Sequence, residues 1–127
     1  MKRTVILTVS LLALAALAVA APAVQAKGEP GVRIALKSSA AFPGASGKAK
    51  FKNEGQRELE IEVEHVRRLA GKRVNFFVNS TKVGSARVNG LGAAQVNRRG
   101  ASFSAIKAGT RIKVKTAGGA TIVSGRF

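Results

Sequence analysis

The chain reads as all-β: an antiparallel β-sandwich of immunoglobulin-like size, with roughly seven to nine short strands after an N-terminal signal helix. Three observations predict this. Apolar and polar residues alternate with period two in segment after segment, which puts successive side chains on opposite faces of a strand. Glycine-containing turns separate these segments at short spacing. No stretch beyond the leader carries the apolar periodicity of an amphipathic helix.

Residues 1–26 read as a secretory signal peptide. Lys2 and Arg3 precede an apolar run from Val5 to Ala21. Pro22 and the small residues of Val24-Gln25-Ala26 then supply an exit and a cleavage site after Ala26. A retained transmembrane helix is the rival reading of this run. The Ala-rich leader and the absence of cysteine point to a bacterial source and to a secreted or periplasmic protein. Residues 27–127 then form a single domain, without an integral membrane segment, since no second apolar run is long enough to span a bilayer.

The strands follow in order. Val32, Ile34 and Leu36 alternate with Arg33, Ala35 and Lys37. Ser38 to Ser46 is a loop broken at Pro43-Gly44. Lys48, Lys50 and Lys52 interleave with Ala49 and Phe51, and Glu58, Glu60, Glu62 and Glu64 interleave with Leu59, Ile61, Val63 and His65. Folded about Asn53-Glu54-Gly55-Gln56, these arms set a lysine row against a glutamate row and leave the other face apolar. The run from Arg67 to Arg73 breaks the pattern around Gly71. Val74, Phe76 and Val78 mark the next strand, and Ser80-Thr81-Lys82 turns the chain into Val83–Val88. Asn89-Gly90 predicts a tight hairpin turn that returns through Ala94 and Val96. Arg98-Arg99-Gly100 reads as a basic turn, and Phe103 and Ile106 lie in a stretch open to either strand or loop. Arg111, Lys113 and Lys115 alternate with Ile112, Val114 and Thr116; Ala117-Gly118-Gly119 turns the chain into a last strand, Ala120–Phe127. A short phrase recurs at Ser46-Gly47, Gly84-Ser85 and Ser124-Gly125, and is read as a marker of equivalent strand starts.

Charge is the most informative global property. The net charge is +16, from 22 Lys and Arg against 6 acids, all of them Glu. None of the acids follows Glu64, so the second half of the chain is cationic throughout. Such a field attracts polyanions. Candidate contacts are Arg67, Arg68, Lys72 and Arg73 in one loop, Arg98 and Arg99 in another, and Arg111, Lys113 and Lys115 along one strand face.

The same composition argues against catalysis. There is no Cys, no Asp and a single histidine, His65. Thiolate chemistry and a Ser-His-Asp arrangement are therefore excluded, with Glu left as the acid that could substitute for Asp, and no zinc site, other metal or cofactor is expected. His65 is placed at the apolar face or its edge, as a structural residue. The glutamates lie in one solvated row rather than across a cleft, unlike a glycosidase pair. The chain also has no Tyr or Trp. Phe77 is left as the one aromatic expected to be exposed for stacking, so sequence-specific nucleic-acid reading is not expected. A terminal Phe127 brings outer-membrane barrels to mind, but short strands without aromatic girdles, and with cations at the outward positions, argue against one. Phe127 is expected to cap the core or close a sheet edge.

The segments SGKAKF, VNFFVNSTKVGSARVNGLG and KAGTRIKVKTAGGATIVSGRF resemble those of small exported bacterial β-sandwich proteins without an assigned activity. The resemblance implies the fold and carries no catalytic residue. Two functional expectations follow. The first is a non-enzymatic exported domain that acts through protein contacts in the bacterial envelope or outside the cell. The second is a polyanion-binding module for lipopolysaccharide, acidic wall polymer or extracellular nucleic acid, which uses the basic second half. Neither involves a small-molecule substrate.

Overall fold

The Lys/Glu hairpin organises the domain as its alternation demands. A computed structural model describes residues 31–100, 103 and 105–127; the expected signal peptide lies outside the described residues. Residues Gly31–Phe127 form one compact unit. In it β2 (Ser46–Glu54) and β3 (Gln56–Glu64) pair antiparallel about Gly55, whose φ of 73° supplies the reversal. Lys48, Lys50 and Lys52 stand opposite Glu62, Glu60 and Glu58, while Ala49 and Phe51 stand opposite Ile61 and Leu59 on the buried face. A slip by one residue would turn these apolar side chains to water, which is why the register is firmly specified.

The remaining strands are β1 (Gly31–Ser38), β4 (Arg73–Val78), β5 (Thr81–Arg87), β6 (Ala94–Arg99), β7 (Arg111–Thr116) and β8 (Thr121–Arg126), with a 3-10 turn at Arg67–Leu69. Every pairing is antiparallel, in one eight-stranded sheet of order β5-β4-β7-β8-β1-β2-β3-β6. The expected two-sheet sandwich is thus replaced by one sheet that curls into a nearly closed barrel. The β1–β8 seam is short, with Lys37 opposite Ser124 and Ser38 opposite Val123. The outer strands β5 and β6 meet across the gap: a Cβ at Gly84 would lie 3.2 Å from a Val96 methyl. Curling removes the open edges that a flat sheet would expose.

Side chains fill the interior. One inward row runs from Ile112 to Gly125, Leu36, Gly47, Val63 and Ala94, so large and small residues alternate along it. Leu36 overlies both Gly47 and Gly125. The recurring Ser/Gly phrase therefore does not mark strand starts. Gly47 opens β2, Gly84 lies within β5 and Gly125 lies near the end of β8; what they share is close approach to a neighbouring strand or side chain. Phe42, Val66, Leu69 and Val88 join the buried core from the loops at one end. Phe103, buried in a loop, packs edge-on against Phe51 at the other, with ring centroids 6.2 Å apart. Ile106 and Phe127 pack beside the core, and the Phe127 carbonyl accepts from Gly109 N–H, as expected of a capping residue.

Three local expectations change. Asn89-Gly90 does not make a two-residue turn, because β5 and β6 are not ladder partners. The Asn89 side chain instead accepts from the Leu91 and Ala93 amides, and the positive φ falls on Gly92. Arg98 and Arg99 belong to β6 rather than to a turn, since β6 pairs along β3 as far as Glu58–Arg99. His65 lies just past β3, exposed, with φ 64°. A left-handed residue ends the alternation that would have carried it inward. Its Nδ1 lies 2.9 Å from Ser46 Oγ. Among the described residues no helix is long and apolar enough to cross a membrane.

Candidate polyanion interface

The outer surface divides by charge, and strand order is the cause. On β3 the glutamate row has donors on both sides. Lys48 Nζ is 3.6 Å from Glu62 on the β2 side. On the β6 side, Gln95 donates to Glu60 at 3.1 Å, Asn97 donates to Glu58 at 3.2 Å, and Arg99 lies 3.6 Å from Glu58. The β2–β3–β6 wall thus neutralises itself.

Within it, burial pushes the Glu62 carboxyl above its ordinary value, Glu64 adds to the rise, and Lys48 offsets part of it. An acid with a raised pKa holds its proton more tightly in the folded state. Its stabilising contribution is therefore fully present at low pH and is lost as pH rises through the folded value. Glu62→Gln is accordingly expected to be more stable than the parent at about pH 7, with the difference closing toward about pH 4. Paired urea melts at the two pH values check this; a less stable Gln variant at neutral pH would contradict it.

The β4–β7–β8 wall is different. No acid occurs on β4, β5, β7 or β8. The outward positions of β7 are Arg111, Lys113 and Lys115, because Ile112 and Val114 are fully buried. Arg126 stands opposite Arg111, and Ser124 stands opposite Lys113. On the other flank Phe77 faces Lys113 and Asn75 faces Lys115. Beyond Asn75, toward the opposite end of the barrel, Arg73 stands opposite Arg87. Both of these guanidinium groups are steadied by neutral acceptors: Arg73 by Ser85 Oγ at 3.3 Å, and Arg87 by the Gly71 carbonyl at 2.7 Å. Lys82 and Lys37 extend the Phe77–Lys113–Ser124 row on either side.

Of the nine residues expected to bind polyanions, Arg73, Arg111, Lys113 and Lys115 therefore share one wall. Lys72 adjoins Arg73 at its rim. The others go elsewhere. Arg68 stacks on Phe42, 4.4 Å from its ring centroid, and donates to the Ala41 carbonyl. Arg67 lies against Gly92, where a Cβ would approach its amide to 2.6 Å. Arg99 is engaged with Glu58, and Arg98 stands opposite Leu59, exposed at the barrel mouth.

Sequence reasoning missed Arg126, Arg87, Lys82 and Lys37. Arg126 was accessible from the symmetry of the β7–β8 hairpin about Gly118-Gly119. Lys37 was not, because it depends on the nonlocal β1–β8 seam. Phe77, expected to be free for stacking, is half-buried and has the Lys115 ammonium 5.0 Å from its ring centroid.

Fold and surface together define the class: a nearly closed, eight-stranded antiparallel β-barrel with one self-neutralised wall and one cationic wall. No protein-family model, curated protein or solved structure matches the chain.

Proposed function

We propose that this protein is an exported, non-enzymatic binding domain whose partner is a polyanion seated on the β4–β7–β8 wall. One observation carries the reading. Like charges placed directly opposite across strands are destabilising, yet the cationic face holds two such pairs at its two ends, Arg111–Arg126 between β7 and β8 and Arg73–Arg87 between β4 and the flanking β5. An anionic ligand relieves both. The competing reading, protein contact through an apolar patch or an open edge, has less support. The exposed large hydrophobics Val32 and Leu91 sit at opposite ends of the barrel, and the β5 and β6 edges face each other.

Retention on heparin at rising salt tests the proposal, beside a control protein of similar net charge. Elution well above the control is expected, because focused cations release more condensed counterions on binding than scattered ones. Co-elution with the control would overturn it.

A further inference from the structure

We infer that the ligand is an extended single-chain polyanion lying along β7, with its anionic groups engaged in single file. This rests on the reading above and adds the shape of the partner. Alternate side chains on a strand recur about every 6.6–6.8 Å. The Arg126/Arg111 pair, Lys113, Lys115 and Arg73 on the adjoining β4 therefore form a track with about four steps, roughly 20 Å long. In its middle the track is one cation wide. Lys113 is flanked by Phe77 and Ser124, and Lys115 by Asn75 and Thr121, none of them charged. The next cations out, Lys82 and Arg87 on β5 and Lys37 on β1, stand two strands from β7, about 10 Å to either side.

A barrel wall is convex, so it offers a line of contact rather than a groove. A line of single cations suits one flexible chain whose monoanionic groups recur every several ångströms. It does not span the two phosphate rows of a rigid duplex. The Lys115 ammonium occupies a face of Phe77, so a base gains no free ring there. Recognition is therefore of charge spacing and not of base identity. A phosphodiester chain and an acidic polysaccharide share this chemistry.

The test is a length series at about 0.1 M salt: labelled oligothymidylates of two to ten nucleotides, and in parallel sulfated oligosaccharides of increasing length, followed by anisotropy. Each added charge is expected to tighten binding by about fivefold until about four to six are engaged, because each neutralised phosphate of a single strand contributes about −0.7 to the salt slope. Beyond that length affinity should level off. Inositol hexakisphosphate, compact and as highly charged, should bind more weakly than a linear chain at the plateau. Levelling in the oligothymidylate series alone assigns the track to phosphodiesters, and levelling in the sugar series alone assigns it to acidic polysaccharides. Affinity that climbs steadily to the longest probe, or a compact anion that matches the linear one, would overturn the track while leaving polyanion binding in place. Binding to none of these probes would overturn both.

Discussion

Gly47→Ala is expected to destabilise the barrel by about 3 kcal/mol or more, the upper range for overpacking a filled interior. A Cβ at this position would lie 2.5 Å from the Glu62 carbonyl oxygen and 3.3 Å from Leu36 Cδ1. The first of these is backbone, locked in the β2–β3 ladder, and cannot yield without disturbing the Lys/Glu register. Leu36 cannot move away either, since Gly125 on its other side is as tight: a Cβ there would meet Leu36 Cδ2 at 2.8 Å and the Ala35 carbonyl at 2.9 Å. In a domain of this size, 3 kcal/mol corresponds to a melting-temperature loss of roughly 12–24 °C. Gly90→Ala is the matched control. Nothing lies within 4 Å of its Cβ position, and its φ is not among the positive ones. It should melt with the parent. Thermal melts of the three proteins decide the point, and a Gly47→Ala variant as stable as the Gly90→Ala control would contradict the interdigitated layer.

Local pairing was legible in the sequence; nonlocal pairing was not. The β2–β3 register follows from alternation and charge matching within one short segment. The β7–β8 hairpin follows from its diglycine turn. By contrast, β6 docks on β3 rather than on its predecessor β5, and no local signal separates these cases. That choice gives Glu58 its Arg99 partner and removes a cation from the candidate site. The bulge between Phe76 and Phe77 was equally hidden. It places Lys82 opposite Phe77 and sends Val83 into the core, where it is 5% exposed. The expected sandwich and the observed barrel differ in the same way. Both need antiparallel amphipathic strands in similar number, and the short β1–β8 seam that decides between them joins residues more than eighty positions apart in the chain. The basic character of the second half was plain from composition. Its convergence on one wall needed the strand order.

On the proposed reading these cations act together because of where they stand and not because of how many there are. Two triple variants with equal net charge test it. Arg111→Gln/Lys113→Gln/Lys115→Gln strips the middle of the cationic wall. Lys48→Gln/Lys50→Gln/Lys52→Gln removes as many charges from the wall that already neutralises itself. Losing three contacts at about −0.7 each should flatten the salt slope for an eight-nucleotide oligothymidylate by about 2, which is about a hundredfold in affinity at 0.1 M salt. That loss is expected for the β7 variant, and a change several-fold or smaller for the β2 variant. Equal losses in the two variants would contradict it, and would mean that the protein attracts polyanions by net charge alone.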